Sequence, residues 1–168
     1  MKTDKKIIRY SDLTRLRDQF RRQKKSTVFT SGCYDILHLG HVIHFNFCKS
    51  KGDILFVSLG NDACVRELKG PTRPINNERF RARLVAALEI VDFVIISEEM
   101  GIMDHDRLLA ELRPNLYIVP GTDKRLADKR ALVESVGGRL IACRRLPPDN
   151  MKGGISTTAI EKKLQNNG

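Results

Sequence analysis

The sequence predicts an α/β protein: one domain built on a doubly wound parallel sheet of about five strands. Three observations predict it. Short, nearly continuous apolar runs such as Asp53–Leu59 (DILFVSL) and Val91–Ile96 (VDFVII) have the composition of strands covered on both faces. Between these runs lie segments with helical periodicity, so strands and helices alternate along the chain. One stretch, Ser26 to Phe45 (STVFTSGCYDILHLGHVIHF), passes from strand through a glycine turn into a helix that carries three histidines.

Taken in order, residues 11–24 read as an amphipathic helix. Ser11 or Asp12 can cap it, and Leu13, Leu16 and Phe20 recur at helical spacing. Thr27, Val28 and Phe29 begin the first strand, and Ser31-Gly32-Cys33-Tyr34-Asp35 reads as a turn. The next helix places Val42, Phe45 and Cys48 on one stripe and stops at Lys51-Gly52. His44 reads as helix packing or surface. After strand two, Asp62 can cap a short helix through Leu68, and Lys69-Gly70-Pro71-Thr72-Arg73-Pro74 forms a basic loop. Asn76 opens a helix whose apolar face would be Phe80, Leu84, Ala87 and Leu88. Val91–Ile96 is strand three. Asp104 caps a helix to Leu112, Leu116–Val119 is strand four, a helix runs from about Leu126 to Val136, and Leu140–Cys143 is strand five. A glycine-rich loop leads to Ile155-Ser156-Thr157-Thr158 at the start of a last helix.

At 168 residues the chain suits a single domain, 1–168, burying about two-thirds of its unfolded surface, with 1–25 as a leading basic helix packed on it. No apolar run approaches the roughly 18 residues that a membrane span needs, and MKTDKKIIRYSDL carries no apolar export core, so the cytoplasm is the expected location. The four cysteines lack paired metal-site spacing and read as reduced thiols. A net charge of +10 suits anionic partners. The basic run near the N-terminus has no interleaved aromatic residues for stacking bases, so no nucleic-acid partner is expected.

The strand–turn–helix of 26–45 is the chemistry-bearing stretch. A helix N-terminus behind a glycine turn presents backbone N–H groups and a positive dipole end to phosphate. Gly32 allows close backbone approach there. His38 and His41, three residues apart, can face one ligand from the first turn. Gly153-Gly154 followed by Ile155-Ser156-Thr157-Thr158 is a second candidate anion cradle, though hydroxyls at a helix start also serve as plain caps. In a doubly wound (Rossmann-like) sheet all these loops meet at the strand C-termini.

Gly32, Tyr34, Asp35, His38, Gly40 and His41 resemble the G-x-F-D-x-x-H-x-G-H signature of the cytidylyltransferase-like nucleotidyltransferases. With L-K-G-P-T-R-P (68–74), Asn76 and A-L-E-x-V-D (87–92), the chain is most similar to the adenylyltransferase domain of bifunctional heptose-phosphate kinase/adenylyltransferases, in a freestanding form without the kinase half. Two departures stand out. The family's K-G-G-D-Y appears here as Pro120-Gly121-Thr122-Asp123-Lys124, and Ser31 replaces a common Asn.

The resemblance implies transfer of a nucleotidyl group, most readily from ATP, to D-glycero-D-manno-heptose 1-phosphate, with release of pyrophosphate, for lipopolysaccharide or another surface glycan. It implies His38, His41, Lys69 and Thr157 as the catalytic set. Nucleotide contacts would come from Thr30, Ser31, Gly32, Cys33, Tyr34, Asp35, His38, Gly40, His41, Gly121, Asp123, Ile155, Ser156, Thr157 and Thr158. Asn61, Asp62, Lys69, Arg73 and Arg81 would hold the sugar phosphate. It implies Mg²⁺ carried mainly by the nucleotide phosphates, with no protein metal site, and a homodimer. Two alternatives stand beside it: glycerol-3-phosphate cytidylyltransferase or FAD synthetase-type activity, and a non-catalytic basic RNA- or phosphate-binding module.

Overall fold

The computed structural model describes residues 2–98 and 105–143, together with three helical positions, Thr157, Ile160 and Lys163. Within them a single six-stranded sheet is parallel throughout. Its strands are β1 (Ile7–Ile8), β2 (Thr27–Gly32), β3 (Ile54–Leu59), β4 (Phe93–Ile96), β5 (Leu116–Pro120) and β6 (Arg139–Cys143), in the spatial order β1-β4-β3-β2-β5-β6. The strand absent from the sequence reading is β1. Two residues are too short for any periodicity to register, and pairing with β4 at the sheet edge is what makes them a strand.

The helices are α1 (Leu13–Arg22), α2 (Leu39–Lys49), α3 (Asp62–Lys69), α4 (Glu78–Ala86), α5 (His105–Leu112) and α6 (Leu126–Ser135). Strand residues alternate between two cores. Phe29, Phe56, Ile95, Tyr117 and Val119 face a layer formed by α1, α5 and α6. Val28, Leu55, Val57, Val94 and Ile118 face α2 and α4. Burial on both faces explains why the β3 sequence is apolar but for Ser58. The leading helix therefore lies across one sheet face, with Leu13, Leu16 and Phe20 in the core.

Several local expectations change. Tyr10–Asp12 forms a 3₁₀ turn, so α1 begins at Leu13. Strand β2 runs through Ser31 and Gly32, which were expected in a turn, because both pair with β3. The cap of α3 is Asn61, whose Oδ1 accepts from Cys64 N at 2.8 Å, in place of Asp62. The cap of α4 is Asn77, accepting from Phe80 N at 3.0 Å, in place of Asn76. The buried stripe of α4 also differs from the expected one. Arg81, Ala82, Val85 and Ala86 face inward, and Phe80 and Leu84 are exposed. Asp104, the expected cap of α5, lies outside the described residues. Among the described residues no helix is long and apolar enough to cross a membrane.

Candidate active site

The topology fixes where a ligand can sit. From β2 the chain crosses to α2 on one face, and from the adjacent β5 it crosses to α6 on the other. The two connections diverge and leave a crevice at the C-terminal ends of β2 and β5, the switch point at which open α/β sheets bind ligands. The stretch 33–38 forms one lip and 121–125 the other.

On the first lip His38 stands at the N-cap position of α2 with extended backbone (φ −141°, ψ 167°). The His38 and His41 rings stack with centroids 3.8 Å apart and planes at 18°. The His38 backbone N–H donates to His41 Nδ1 at 3.4 Å. A backbone N–H can only donate, so Nδ1 acts as acceptor and the His41 ring proton belongs on Nε2. Tyr34 meets His41 edge-on at 5.1 Å and packs on Phe45, also at 5.1 Å. A phenol, a histidine pair and a helix N-terminus thus form one rigid block.

Gly32 serves a purpose other than the phosphate approach read from its sequence. A Cβ there would lie 2.9 Å from Tyr34 Cζ and 3.1 Å from Cε1. The Tyr34 backbone (φ 49°) folds the ring back over the strand end, and only glycine leaves room beneath it.

Asp35 is buried, and its carboxylate is committed within the protein. Oδ1 accepts from Ile75 N at 2.8 Å and Asn76 N at 3.0 Å, and Oδ2 accepts from Arg73 Nη1 at 2.9 Å. Asn76 Nδ2 donates back to Asp35 O at 3.0 Å. Burial pushes the Asp35 pKa up, but the two backbone N–H donors and the guanidinium outweigh it, and the carboxyl stays below its ordinary value. The 70–77 loop is thereby fastened to the β2 turn.

Arg81 is a second brace. It is 0% exposed, and its guanidinium donates to Asn76 O at 3.0 Å, Cys33 O at 2.6 Å and Asp62 Oδ1 at 2.8 Å. Asn61 caps α3 and donates to Ser97 O at 3.2 Å, while the Asp62 N–H donates to Glu78 Oε2 at 2.8 Å. A fully buried guanidinium bonded in three directions ties the β2 turn to α3 and the 70–77 loop. Asn61, Asp62 and Arg73 serve the same framework. Lys69, exposed at the end of α3, has its charge near the turn: the Cys33 thiol is pushed up by burial and drawn back by Lys69 and Arg81.

Thr30 is fully buried, with its Oγ1 2.8 Å from His44 Nε2. His44 also lies 3.5 Å from Cys48 Sγ and 3.3 Å from Cys143 Sγ. Burial lowers the His44 pKa to about 4, so the ring is neutral near pH 7. Burial likewise pushes the Cys48 thiol up to about 12. All four cysteines are free thiols.

On the second lip Gly121 N donates to Cys143 O at 2.7 Å, and a Cβ at Gly121 would meet that oxygen at 3.1 Å. Asp123 accepts from Arg125 N at 2.9 Å and from Lys129 Nζ at 2.7 Å. Tyr117 OH and Ser31 Oγ are 2.6 Å apart and bridge β5 to β2 beneath the crevice. Tyr117 and Lys129 were missed from the sequence. One hides in an apolar strand and the other among the charges of a helix, with no spacing to mark either. Of the second cradle only Thr157 is described, in a helix. Ile155, Ser156 and Thr158 lie outside the described residues.

Of the candidate residues, Ser31 to Cys33, His38, Gly40, His41, Asn61, Asp62, Lys69, Arg73, Gly121, Asp123 and Thr157 are exposed or partly exposed. An imidazole pair at a helix N-terminus with a lysine nearby is suited to stabilise charge spread over phosphate oxygens.

The same combination of fold and signature defines a protein class. A family model described as Cytidylyltransferase-like matches residues 29–163, and the chain belongs to that family. Among curated proteins it is 42% identical over 162 residues to the "Bifunctional protein HldE" of Campylobacter fetus, covering 96% of this chain and 32% of that protein. It is 36% identical over 166 residues to the protein of the same name from Syntrophotalea carbinolica, covering 94% and 32%. The chain thus spans about a third of the length of these relatives. Among solved structures it resembles a lipopolysaccharide core biosynthesis protein from Thermoplasma volcanium, with TM-score 0.62, 27% identity and coverage of 74% of this chain and 99% of that one. A pantoate-beta-alanine ligase from Francisella tularensis shares the fold at TM-score 0.64 and 17% identity, over 95% of this chain and 76% of that one.

Proposed function

We propose that this chain is a nucleotidyltransferase that moves the nucleotidyl group of a nucleoside triphosphate, ATP foremost, onto D-glycero-D-manno-heptose 1-phosphate for lipopolysaccharide or a related surface glycan. The observation that carries the reading is the stacked His38–His41 pair at the N-terminus of α2, at the switch point of the sheet. The likeness to the two bifunctional proteins and to the lipopolysaccharide core biosynthesis protein supports the substrate class.

In this reading a sugar-phosphate oxygen attacks the α-phosphorus in line, the bond from that phosphorus to the oxygen bridging it to the β-phosphorus breaks, and pyrophosphate leaves with the electron pair. The substrate phosphate is already ionised near neutral pH, so no side chain has to serve as nucleophile. His41 Nε2–H and the α2 N-terminus stabilise charge on the transferred group, Lys69 neutralises the space between the two substrates, and Thr157 with its neighbours holds the leaving pyrophosphate. Asp35, Arg73, Asn76 and Arg81 hold the 70–77 loop against the 33–38 lip.

Mg²⁺ fits this arrangement as an ion carried by phosphate oxygens and water. Among the described residues no group of three or more His, Cys, Asp or Glu side chains is placed to hold a metal ion, and the Asp35 carboxylate is already taken by three N–H donors. Bound in that way, the ion would supply charge neutralisation between the phosphates. We place the reaction in the cytoplasm, where nucleoside triphosphates are available, and read the exposed Ile75, Phe80 and Leu84 as compatible with a homodimer.

The test is pyrophosphate release in Mg²⁺ buffer, crossing ATP, CTP, GTP and UTP against both anomers of heptose 1-phosphate, glycerol-3-phosphate and flavin mononucleotide. Turnover with ATP and a heptose 1-phosphate is expected. Turnover only with another pair replaces the substrate, and no turnover from folded protein overturns the reading.

A further inference from the structure

The second lip contains an ion pair that the proposed chemistry does not yet use. Lys129 comes from the first turns of α6, and its Nζ lies 2.7 Å from Asp123 Oδ2, with side chains only 11% and 17% exposed. The same Nζ lies 5.6 Å from the centre of the Tyr117 ring, whose hydroxyl is 2.6 Å from Ser31 Oγ on β2. Asp123 is held from the other side by Arg125 N at 2.9 Å, and its own N–H donates to Pro120 O at 2.9 Å. Lysine, carboxylate, phenol and hydroxyl thus form a continuous strip along the β5 side of the crevice. Pro120 at the end of β5 carries no cation, and the ammonium on Asp123 comes from α6.

We propose that Lys129 is a positioning residue for nucleotide binding: it neutralises Asp123 and locks the 121–125 loop, so that the β5 lip presents a fixed, charge-balanced wall to the nucleoside triphosphate. The inference rests on the nucleotidyl-transfer reading. Its physical basis is the small exposure of the pair. Removing the ammonium takes away a cation bonded to the part-buried Asp123 carboxylate and leaves this lip less favourable to an incoming polyphosphate. A lysine on the solvent side of α6 would have no such effect.

A staple that merely holds loop to helix would give the same contacts, so the test must separate the two roles. Three full-length variants do so: Lys129→Met removes the charge, Lys129→Gln keeps a donor without the charge, and Lys129→Arg keeps the charge. Each is titrated with Mg²⁺-ATP, and turnover is measured with each substrate varied in turn. Loss of a nearly buried charge partner is expected to weaken nucleotide binding about tenfold or more in Lys129→Met and Lys129→Gln alike. The KM for the sugar phosphate and kcat should stay within about threefold, since those interactions lie on the other lip. Lys129→Arg should bind ATP as the wild type does. If Lys129→Met fails to fold, Lys129→Gln carries the test. Wild-type nucleotide affinity in folded Lys129→Gln, or an equal loss in every kinetic parameter that Lys129→Arg shares, overturns the proposal. If the wild type itself binds no nucleoside triphosphate, the nucleotidyl-transfer reading fails and this inference falls with it.

Discussion

Acid should destabilise this fold through one identifiable side chain. His44 packs its ring between Thr30 Oγ1 at 2.8 Å and two thiols, and burial depresses its pKa from 6.5 to about 4. A depressed histidine pKa means that the folded state prefers the neutral ring, so the unfolded chain binds the proton first as pH falls. The His44 contribution to stability is therefore flat above pH 6.5, declines between 6.5 and about 4, and levels off below. At about 1.4 kcal/mol per pKa unit, the shift corresponds to a loss of up to about 3 kcal/mol across that window. The assay is urea denaturation at intervals from pH 8 to pH 4 for the wild type and for His44→Gln. Carboxylates and the other histidines titrate in both proteins, so the difference between the two curves isolates His44. That difference should shift by about 2–3 kcal/mol, in favour of the variant, as pH falls from 7 to 4. A difference that stays flat within about 0.5 kcal/mol would refute the reasoning, because the ring would then titrate alike in both states.

Other perturbations probe the two lips. Gly32→Ala should cost about 1–3 kcal/mol by forcing the Tyr34 ring off the strand end, and should lower turnover because His41 packs on that ring; thermal denaturation and pyrophosphate release report the two effects. Arg81→Met leaves Asp62, Cys33 O and Asn76 O without their buried donor and should cost about 3–5 kcal/mol in chemical denaturation, with Arg81→Lys between it and the wild type. Asp35→Asn should speed hydrogen exchange at the Ile75 and Asn76 amides about tenfold, and the contribution of Asp35 itself, whose pKa is lowered, should be present above pH 3.8 and fade as pH drops below it. His41→Ala should lower turnover at least about a hundredfold with little change in stability.

The sheet was legible because burial on both faces leaves strands such as Ile54–Leu59 almost wholly apolar, a pattern that few other environments produce. The phosphate lip was legible because glycine, aspartate and two histidines sit within ten residues of one another in the chain. What escaped was long-range. Ser31–Tyr117 spans 86 residues and Arg81–Cys33 spans 48, and no local pattern announces either contact. The same blindness hid the bracing contacts: Asp35 and Arg81 hold loops together, Thr30 ties β2 to His44 of α2, and Asn61 caps α3. On α4 two stripes at helical spacing compete, Phe80 and Leu84 against Ala82, Val85 and Ala86, and the smaller side chains are the ones the sheet buries.

The central claim is attack at the α-phosphorus, and position-specific labelling tests it most directly. Folded protein would be incubated with Mg²⁺, heptose 1-phosphate and ATP carrying ³²P at either the α- or the γ-position, and the products separated. Transfer at the α-phosphorus carries α-label into a nucleotide-sugar and leaves γ-label only in pyrophosphate. Transfer of γ-label to the sugar, or release of inorganic phosphate with no α-label in any sugar product, would contradict it.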